Sequence, residues 1–393
     1  MIQRAKQNEI LKALKTRPVV VLLGARQVGK TTLALEIGKQ INKKVTYLDL
    51  ELDSDFIKLS NAEEYLSRFS NELLIIDEAQ KKPNLFALLR SLVDKRKQQG
   101  EKAGHFLLLG SASKEIIQHS SESLAGRIRF IELNPLQPLE IIHLKDKELI
   151  DKYWFRGGFP DSFLAENDEE SWQWRSDFIA TYVERDIPNL GVGIAPAKLR
   201  RFWTMLSHYH GQLVVYSELA RSLDVSHTTI KNYLDVLTDF YMIRQLPPWS
   251  GNLKKRLVKS PKIYIRDSGI LHRLQNISSF NQLYSHPVIG ASWEGLVVES
   301  IINQLDDRWE FSYFRTQTQN EVDLVLKTPN NETWAVEIKR THSPKLSKGF
   351  FEACNDLKAS KKWVIIGNNE QFPLKNDVEA IGLIKFLEFI ANL

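Results

Sequence analysis

Cysteine is almost absent from this sequence. One residue, Cys354, occurs in 393, so no intrachain disulfide can form and no cysteine-based zinc site can be assembled. That excludes a disulfide scaffold and points to the cytoplasm. Long apolar runs are missing too. The longest, such as Pro18 to Gly24, fall well short of the ~18–20 residues a membrane helix needs, so no membrane partner is expected. The opening residues MIQRAKQNEI carry charges with no apolar segment behind them, which argues against a secretory signal. There are no repeats at solenoid periods and no low-complexity tract. Nor is there a strong excess of charge: 53 Lys and Arg against 48 Asp and Glu leave +5, with a pI near 9. That balance is compatible with nucleic acid and too weak to argue for it alone.

What is present is apolar material. With 43% hydrophobic residues the chain can bury sizeable cores, and its length corresponds to roughly two to three domains. Up to about residue 140, short apolar runs alternate with amphipathic helical patterns. The runs are Val19–Leu23, Val45–Leu48, Leu73–Ile76, Phe106–Leu109 and Ile128–Leu133; helices are expected at Thr31–Gln40 and Leu85–Lys97. Buried strands spaced by helices predict an α/β domain with a parallel sheet covered on both faces. A helical segment, 141–195, follows, in which Trp174, Phe178 and Tyr182 fall on one helix face as a core-facing stripe. Across 196–259 two short helices are expected, capped by Ser217 and Ser226 and joined by a tight turn at Asp224-Val225. Leu219, Leu223, Val225, Ile230, Leu234 and Leu237 would close their core in a helix-turn-helix pattern. From 260 to 393, helix Trp293–Leu305 and strands Val322–Leu326, Trp334–Ile338 and Trp363–Ile366 predict a separate α/β domain.

The most specific local signal is the octet Gly24-Ala25-Arg26-Gln27-Val28-Gly29-Lys30-Thr31, continued by Thr32. It stands directly after an apolar strand and directly before a helix. That is where glycines can turn backbone N–H groups around phosphates and the helix N-terminus adds its positive end. Lys30 is expected on the β- and γ-phosphates and the Thr31 hydroxyl on Mg²⁺. A second apolar strand ends in Asp77-Glu78. Asp77 is a candidate for the magnesium shell and Glu78 for the base that deprotonates the attacking water. The Asp-Glu pair favours ATP over GTP. Ser111, ending the next strand, is either a γ-phosphate sensor or a turn residue. Arg127 is either an arginine that stabilises charge on the γ-phosphate, within the subunit or across an oligomer interface, or an ordinary surface arginine. Arg26 can contact phosphate or pair with the acidic strand tips.

In the C-terminal domain Asp323 lies on one strand and Glu337 and Lys339 on the next. Strand alternation sets all three opposite to their apolar neighbours. If the strands pair, two carboxylates can hold Mg²⁺ beside a lysine, the set that phosphodiester cleavage by a metal-activated water needs. Glu294, on the preceding helix, is a further candidate ligand. The same residues equally suit charged side chains facing solvent from a half-buried sheet. For DNA, His227, Thr228, Thr229, Lys231 and Asn232 lie off the apolar face of the second helix. Lys254, Lys255, Arg256, Lys259 and Lys262 form a basic wing or linker around Trp249-Ser250-Gly251. Protein docking by such a unit, and a merely solvated charge run, are the alternatives.

Taken in order, GARQVGKTT, LLIIDEAQ, LLLGSAS, LAGR, RGGFP, KSPKIYIRDSGIL, the Trp293-Glu294 helix, EVDLVL and WAVEIK resemble a large family of bacterial and archaeal AAA-type ATPases. Its C-terminal domain, long catalogued as of unknown function, looks like the PD-(D/E)XK nuclease fold. The resemblance covers nearly the whole chain. It implies a P-loop ATPase core, a winged-helix middle and a restriction-endonuclease-like end. Family motifs fall on Lys30, Thr31, Asp77, Glu78, Asp323, Glu337 and Lys339, with Val322-Asp323 where the nuclease motif usually has Pro-Asp. Two functions are therefore expected as rivals. In one, ATP hydrolysis controls a DNA-binding half that also cuts with Mg²⁺; in the other, an ATP-driven switch binds DNA or a protein partner without cutting. A homo-oligomer is implied by analogy.

Overall fold

The computed structural model describes residues 2–111, 124–144, 148–187, 193–251 and 257–393. The chain divides into two units, Met1–Leu136 with Asp239–Tyr241, and Gln137–Thr238 with Met242–Leu393.

The first unit is built on five strands, β1 (Val19–Leu23), β2 (Val45–Asp49), β3 (Leu73–Asp77), β4 (Phe106–Gly110) and β5 (Ile128–Glu132). They pair in the order β2-β3-β4-β1-β5, and every pairing is parallel. β1, β3 and β4 are buried at every position, as expected of continuous Val, Leu and Ile runs covered on both faces by helices. The five strands match the expected runs to within a residue, and helices Lys30–Gln40 and Leu85–Gln98 lie where the periodicity predicts. β4 follows β3 in space, but β1 returns between β4 and β5. The crevice beyond the strands' C-terminal ends is therefore the place where such sheets bind ligands.

The second unit contains two sheets. β6 (Gln212–Leu213), β7 (Ile243–Leu246) and β8 (Lys262–Ile265) form an antiparallel trio in the order β6-β8-β7. They are interleaved in sequence with helices Pro196–His208, Tyr216–Leu223 and His227–Asp239. By pairing, β8 belongs to this trio, three residues beyond the expected boundary at 259. The helix pair packs as predicted: Leu219, Leu223, Ile230, Leu234 and Leu237 are buried, while Val225 is half-buried. The Ser226 hydroxyl accepts from the Thr229 N–H at 3.0 Å, a standard cap. Ser217 does not cap. Its helix starts one residue earlier, at Tyr216, with Val215 at the cap position and no side-chain bond. The aromatic stripe faces the core as expected, with Phe178 and Tyr182 buried and Trp174 half-buried, and its rings stack, with centroids 5.2 Å apart for Trp174 and Phe178 and 5.1 Å for Phe178 and Tyr182.

The second sheet has six strands: β9 (Glu310–Arg315), β10 (Glu321–Lys327), β11 (Thr333–Lys339), β12 (Lys361–Ile366), β13 (Gln371–Leu374) and β14 (Val378–Gly382). Their order is β13-β14-β12-β11-β10-β9. β9, β10 and β11 are antiparallel, β11, β12 and β14 parallel, and β13 closes one edge antiparallel. Helix Lys348–Leu357 packs its Phe350, Ala353 and Cys354 against Val322, Val325 and Val364. Cys354 is thus a core residue, and burial pushes its thiol up to about 12. Helix Ile289–Gln304 has Trp293 and Leu296–Ile302 buried.

Candidate functional site

The phosphate-loop candidate lies between β1 and helix Lys30–Gln40, at the C-terminal end of the sheet. Its backbone is forced into unusual conformations. Gly24 has φ +153°, and a Cβ there would sit 2.2 Å from the Leu133 carbonyl oxygen; Gly29 has φ +90° and Gln27 +61°. Only glycine meets the Gly24 requirement without moving Leu133, whose N–H donates to the Leu23 carbonyl at 2.7 Å. Lys30 is buried and donates to the carbonyls of Gly24 and Ala25 at 3.0 and 2.8 Å. Burial lowers its pKa to about 8, against the opposing pull of Glu78 and Asp77.

Beside the loop stands the acidic tip of β3. The Thr31 hydroxyl donates to Asp77 Oδ2 at 2.6 Å, and the Tyr47 hydroxyl donates to the same oxygen at 3.0 Å. Burial, reinforced by Asp77, raises the Tyr47 pKa, so that hydroxyl keeps its proton. Hard oxygens on neighbouring elements are the donor chemistry magnesium takes, so Thr31 and Asp77 fit that ion. Glu78 follows in the left-handed region at φ +50°, a strained position for a non-glycine residue. Its Oε2 accepts from the Ser111 hydroxyl at 3.3 Å and from the Gln80 amide. Gln80 Nε2 also donates to Ser111 Oγ at 3.3 Å, while its buried Oε1 has no hydrogen-bond partner among the described residues. Thr31, Asp77, Glu78 and Ser111 therefore come together as expected, with Gln80 completing the group.

Two predicted arginines do not join them. Arg26 pairs with Glu51 at 3.7 Å, two residues beyond the end of β2. Arg127 immediately precedes β5, whose Ile128 aligns with Val19 at the start of β1. The loop leaves β1 four residues later, about 13 Å along the strand. Arg127 Nε and Nη2 donate to Asp94 at 2.8 and 3.1 Å, and Nη1 donates to the Ala125 carbonyl at 3.2 Å. Within this chain Arg127 stands at the wrong end of the sheet for the phosphate loop. Thr32 is exposed on the helix.

In the second unit β10 and β11 do pair, with Leu324 opposite Val336, and β10 bulges against β9 between Val322 and Val325. Asp323 and Glu337 are buried, at 8% and 7% exposure. The expected open carboxylate set is filled by a side chain assigned elsewhere. Lys262, 3% exposed on β8, places its ammonium 2.7 Å from Glu321, 3.3 Å from Glu294 and 3.9 Å from Asp323. Glu294 also accepts from the Tyr264 hydroxyl at 2.5 Å. Asp323 Oδ2 accepts from the Ile338 N–H at 2.9 Å, Glu337 pairs with Lys339 at 2.8 Å, and Arg315 reaches Glu321 at 3.4 Å. Burial raises the Asp323 pKa well above the usual carboxylate range, with Glu294 and Glu337 adding to it, and burial also raises that of Glu337. Among the described residues no three His, Cys, Asp or Glu side chains are arranged to hold a metal ion. With the Lys262 ammonium among them, Glu294, Asp323 and Glu337 do not fit magnesium.

Lys262 therefore leaves the expected basic wing. Lys254, Lys255 and Arg256 lie outside the described residues, and Lys259 is exposed. On the second helix of the pair, His227, Thr228, Lys231 and Asn232 are exposed and Thr229 is half-buried, as the apolar spacing requires.

A family model described as "AAA domain" matches residues 16–142. Two further models, described as domains of unknown function (DUF8612 and DUF4143), match 147–281 and 289–386. An uncharacterized protein of Mycobacterium tuberculosis is 44% identical over 379 residues, covering 96% of this chain and 83% of the relative. One from Mycobacterium bovis matches equally. The chain belongs to this family of AAA-domain proteins. Its first unit is an AAA-type P-loop ATPase. Among solved structures, the chain is similar to a Walker-type ATPase of Pyrococcus abyssi at 13% identity and a TM-score of 0.49, over 70% of this chain and 96% of that one. It is also similar to the RuvB Holliday junction branch migration motor of Thermotoga maritima, at 18% identity and a TM-score of 0.33, over 63% and 90%.

Sequence reasoning missed three residues of the first unit. Arg4 is buried and donates to the Val28 carbonyl at 2.8 Å and the Asn134 carbonyl at 2.6 Å, holding the loop from below. No local pattern announces it, because its partners are 24 and 130 residues away. Tyr47 on β2 reaches Asp77 only because β2 and β3 pair in register, Asp49 against Asp77. Gln80 was visible in LLIIDEAQ but carried no chemistry until Ser111 was brought beside it.

Proposed function

We propose that this AAA-type ATPase hydrolyses ATP with Mg²⁺ and that its nucleotide state controls a DNA-contacting C-terminal half. The observation that carries the reading is the bond from Thr31 to Asp77 at 2.6 Å, with Lys30 and Glu78 flanking it. Bound magnesium would neutralise phosphate charge between Thr31 and Asp77. Lys30 exchanges its loop carbonyls for β- and γ-phosphate oxygens. Glu78 orients a water in line with the γ-phosphorus and takes its proton as the bond to the β-phosphate oxygen breaks, releasing ADP and phosphate. Ser111 and Gln80 hold that carboxylate, and the Ser111 hydroxyl is the group we assign to sensing the γ-phosphate. In this reading Arg127 acts only across an interface with a second copy, on that copy's nucleotide.

DNA contact is supported by the exposed His227, Thr228, Lys231 and Asn232 and by the helix and strand order around them, which we read as a winged helix. The C-terminal domain is read as a nuclease-like fold, from the D…ExK order on adjacent strands. The carboxylates held by Lys262, Tyr264 and Lys339 favour the non-cutting switch over the cutting enzyme, and no cleavage step follows from them. No described helix is long and apolar enough to cross a membrane, and a cytoplasmic site of action accords with the single cysteine.

The direct test is a pair of variants. Lys30→Ala is expected to abolish nucleotide binding by calorimetry. Glu78→Gln is expected to keep binding and lose about 10²- to 10⁴-fold in turnover. Undiminished hydrolysis in both variants would remove the assignment.

A further inference from the structure

Four carboxylates, Glu294, Glu321, Asp323 and Glu337, gather where the helix Ile289–Gln304, β8, β10 and β11 meet, and three cations answer them: Lys262, Lys339 and Arg315. Lys262 alone touches three of the four. It comes from outside the sheet that carries Asp323 and Glu337, since β8 pairs with β6 and β7. A buried ammonium within ion-pairing distance of three carboxylates does electrostatically what a bound divalent cation does elsewhere. A metal ion bound by Glu294 and Asp323 would lie within a few ångströms of Nζ, and the two charges would repel in a site screened from water.

We infer that Lys262 is the resident cation of this carboxylate cluster and closes it to divalent metal, so that the site admits a metal ion only when the Lys262 ammonium is removed. The inference does not depend on ATP hydrolysis. Its consequence is that β8, the central strand of the trio beside the helix pair, carries the side chain that keeps the D…ExK set metal-free.

The test uses the nucleotide-free full chain and Mn²⁺ alone, followed by isothermal titration and by the melting temperature in Mn²⁺. Wild type and Asp323→Asn should give superimposable Mn²⁺ isotherms, because Asp323 binds no metal while Lys262 is in place. Lys262→Met should acquire one Mn²⁺ site, tighter than any wild-type binding by on the order of tenfold or more. It should also melt lower than wild type without metal and recover with Mn²⁺. Both effects should vanish in Lys262→Met combined with Asp323→Asn. A wild-type site that disappears in Asp323→Asn would overturn the inference, and this comparison needs no folded Lys262 variant. So would a folded Lys262→Met protein that binds no more Mn²⁺ than wild type.

Discussion

At the scale of single residues, burial and mutual contact decide what the charged side chains can do. Lys30 illustrates the sign of the effect. Its pKa of about 8 in the free protein means that above this pH the Lys30 amine must recover a proton as the nucleotide binds. Nucleotide affinity is therefore expected to stay level below about pH 8 and to weaken by up to about tenfold per unit above it. Calorimetry at pH 7 and 9.5 checks this. The same shift makes the Lys30 contribution to folding stability rise, not fall, as the pH climbs from about 8 towards the ordinary lysine value of 10.5. Gln80 offers a second case. Its amide holds Glu78 and Ser111 while its own buried carbonyl oxygen has no partner among the described residues, an acceptor available to a water beside Glu78. Gln80→Leu should lower kcat by on the order of tenfold or more with KM little changed, because the interaction belongs to the reacting geometry and not to nucleotide binding. A rise in KM alone, in steady-state kinetics, would assign Gln80 to binding instead.

At the scale of elements, the parallel sheet was the most readable part of the chain. β1, β3 and β4 carry runs of four or five apolar residues, buried because both faces are covered, and each run ends at a glycine or an acid: Gly24, Asp77 and Gly110. The sheet of the second unit was legible only in its centre. The edge strands β9 and β13 lack the burial that makes a pattern, β9 with Glu310 exposed and the next two residues half-buried, and β13 with Pro373; β14 lies inside the sheet but is a short run ending in Gly382. The helix pair was readable because its apolar positions serve one small shared core. Leu234→Ala there should cost about 2–5 kcal/mol by cavity formation, measured by denaturant unfolding, and should remove DNA binding with it. Lys231→Ala should leave the fold intact. It should weaken binding about equally across sequences and reduce the salt slope by about one counterion, measured by fluorescence anisotropy over a salt series.

At the scale of the whole molecule, the question is whether the AAA domain and the C-terminal half act on each other. Added DNA is expected to raise steady-state ATP turnover several-fold, and Lys231→Ala should blunt that rise without changing the basal rate. Turnover indifferent to any DNA would separate the two functions. The sequence alone determined the AAA domain, its phosphate loop and its acidic strand tip, because these depend on strictly local order: strand, glycine turn, helix, and a carboxylate at the end of an apolar run. Only the tertiary structure decided the fates of Arg127 and Lys262. Arg127 follows the loop in sequence, yet the parallel sheet carries it to the opposite end, where Asp94 takes it. Lys262 reads as one more cation in a basic run, until β8 turns it into a buried cluster whose carboxylates are contributed by residues 32 to 61 positions away. Ion pairs are made by proximity in space, and a one-dimensional pattern does not carry that information.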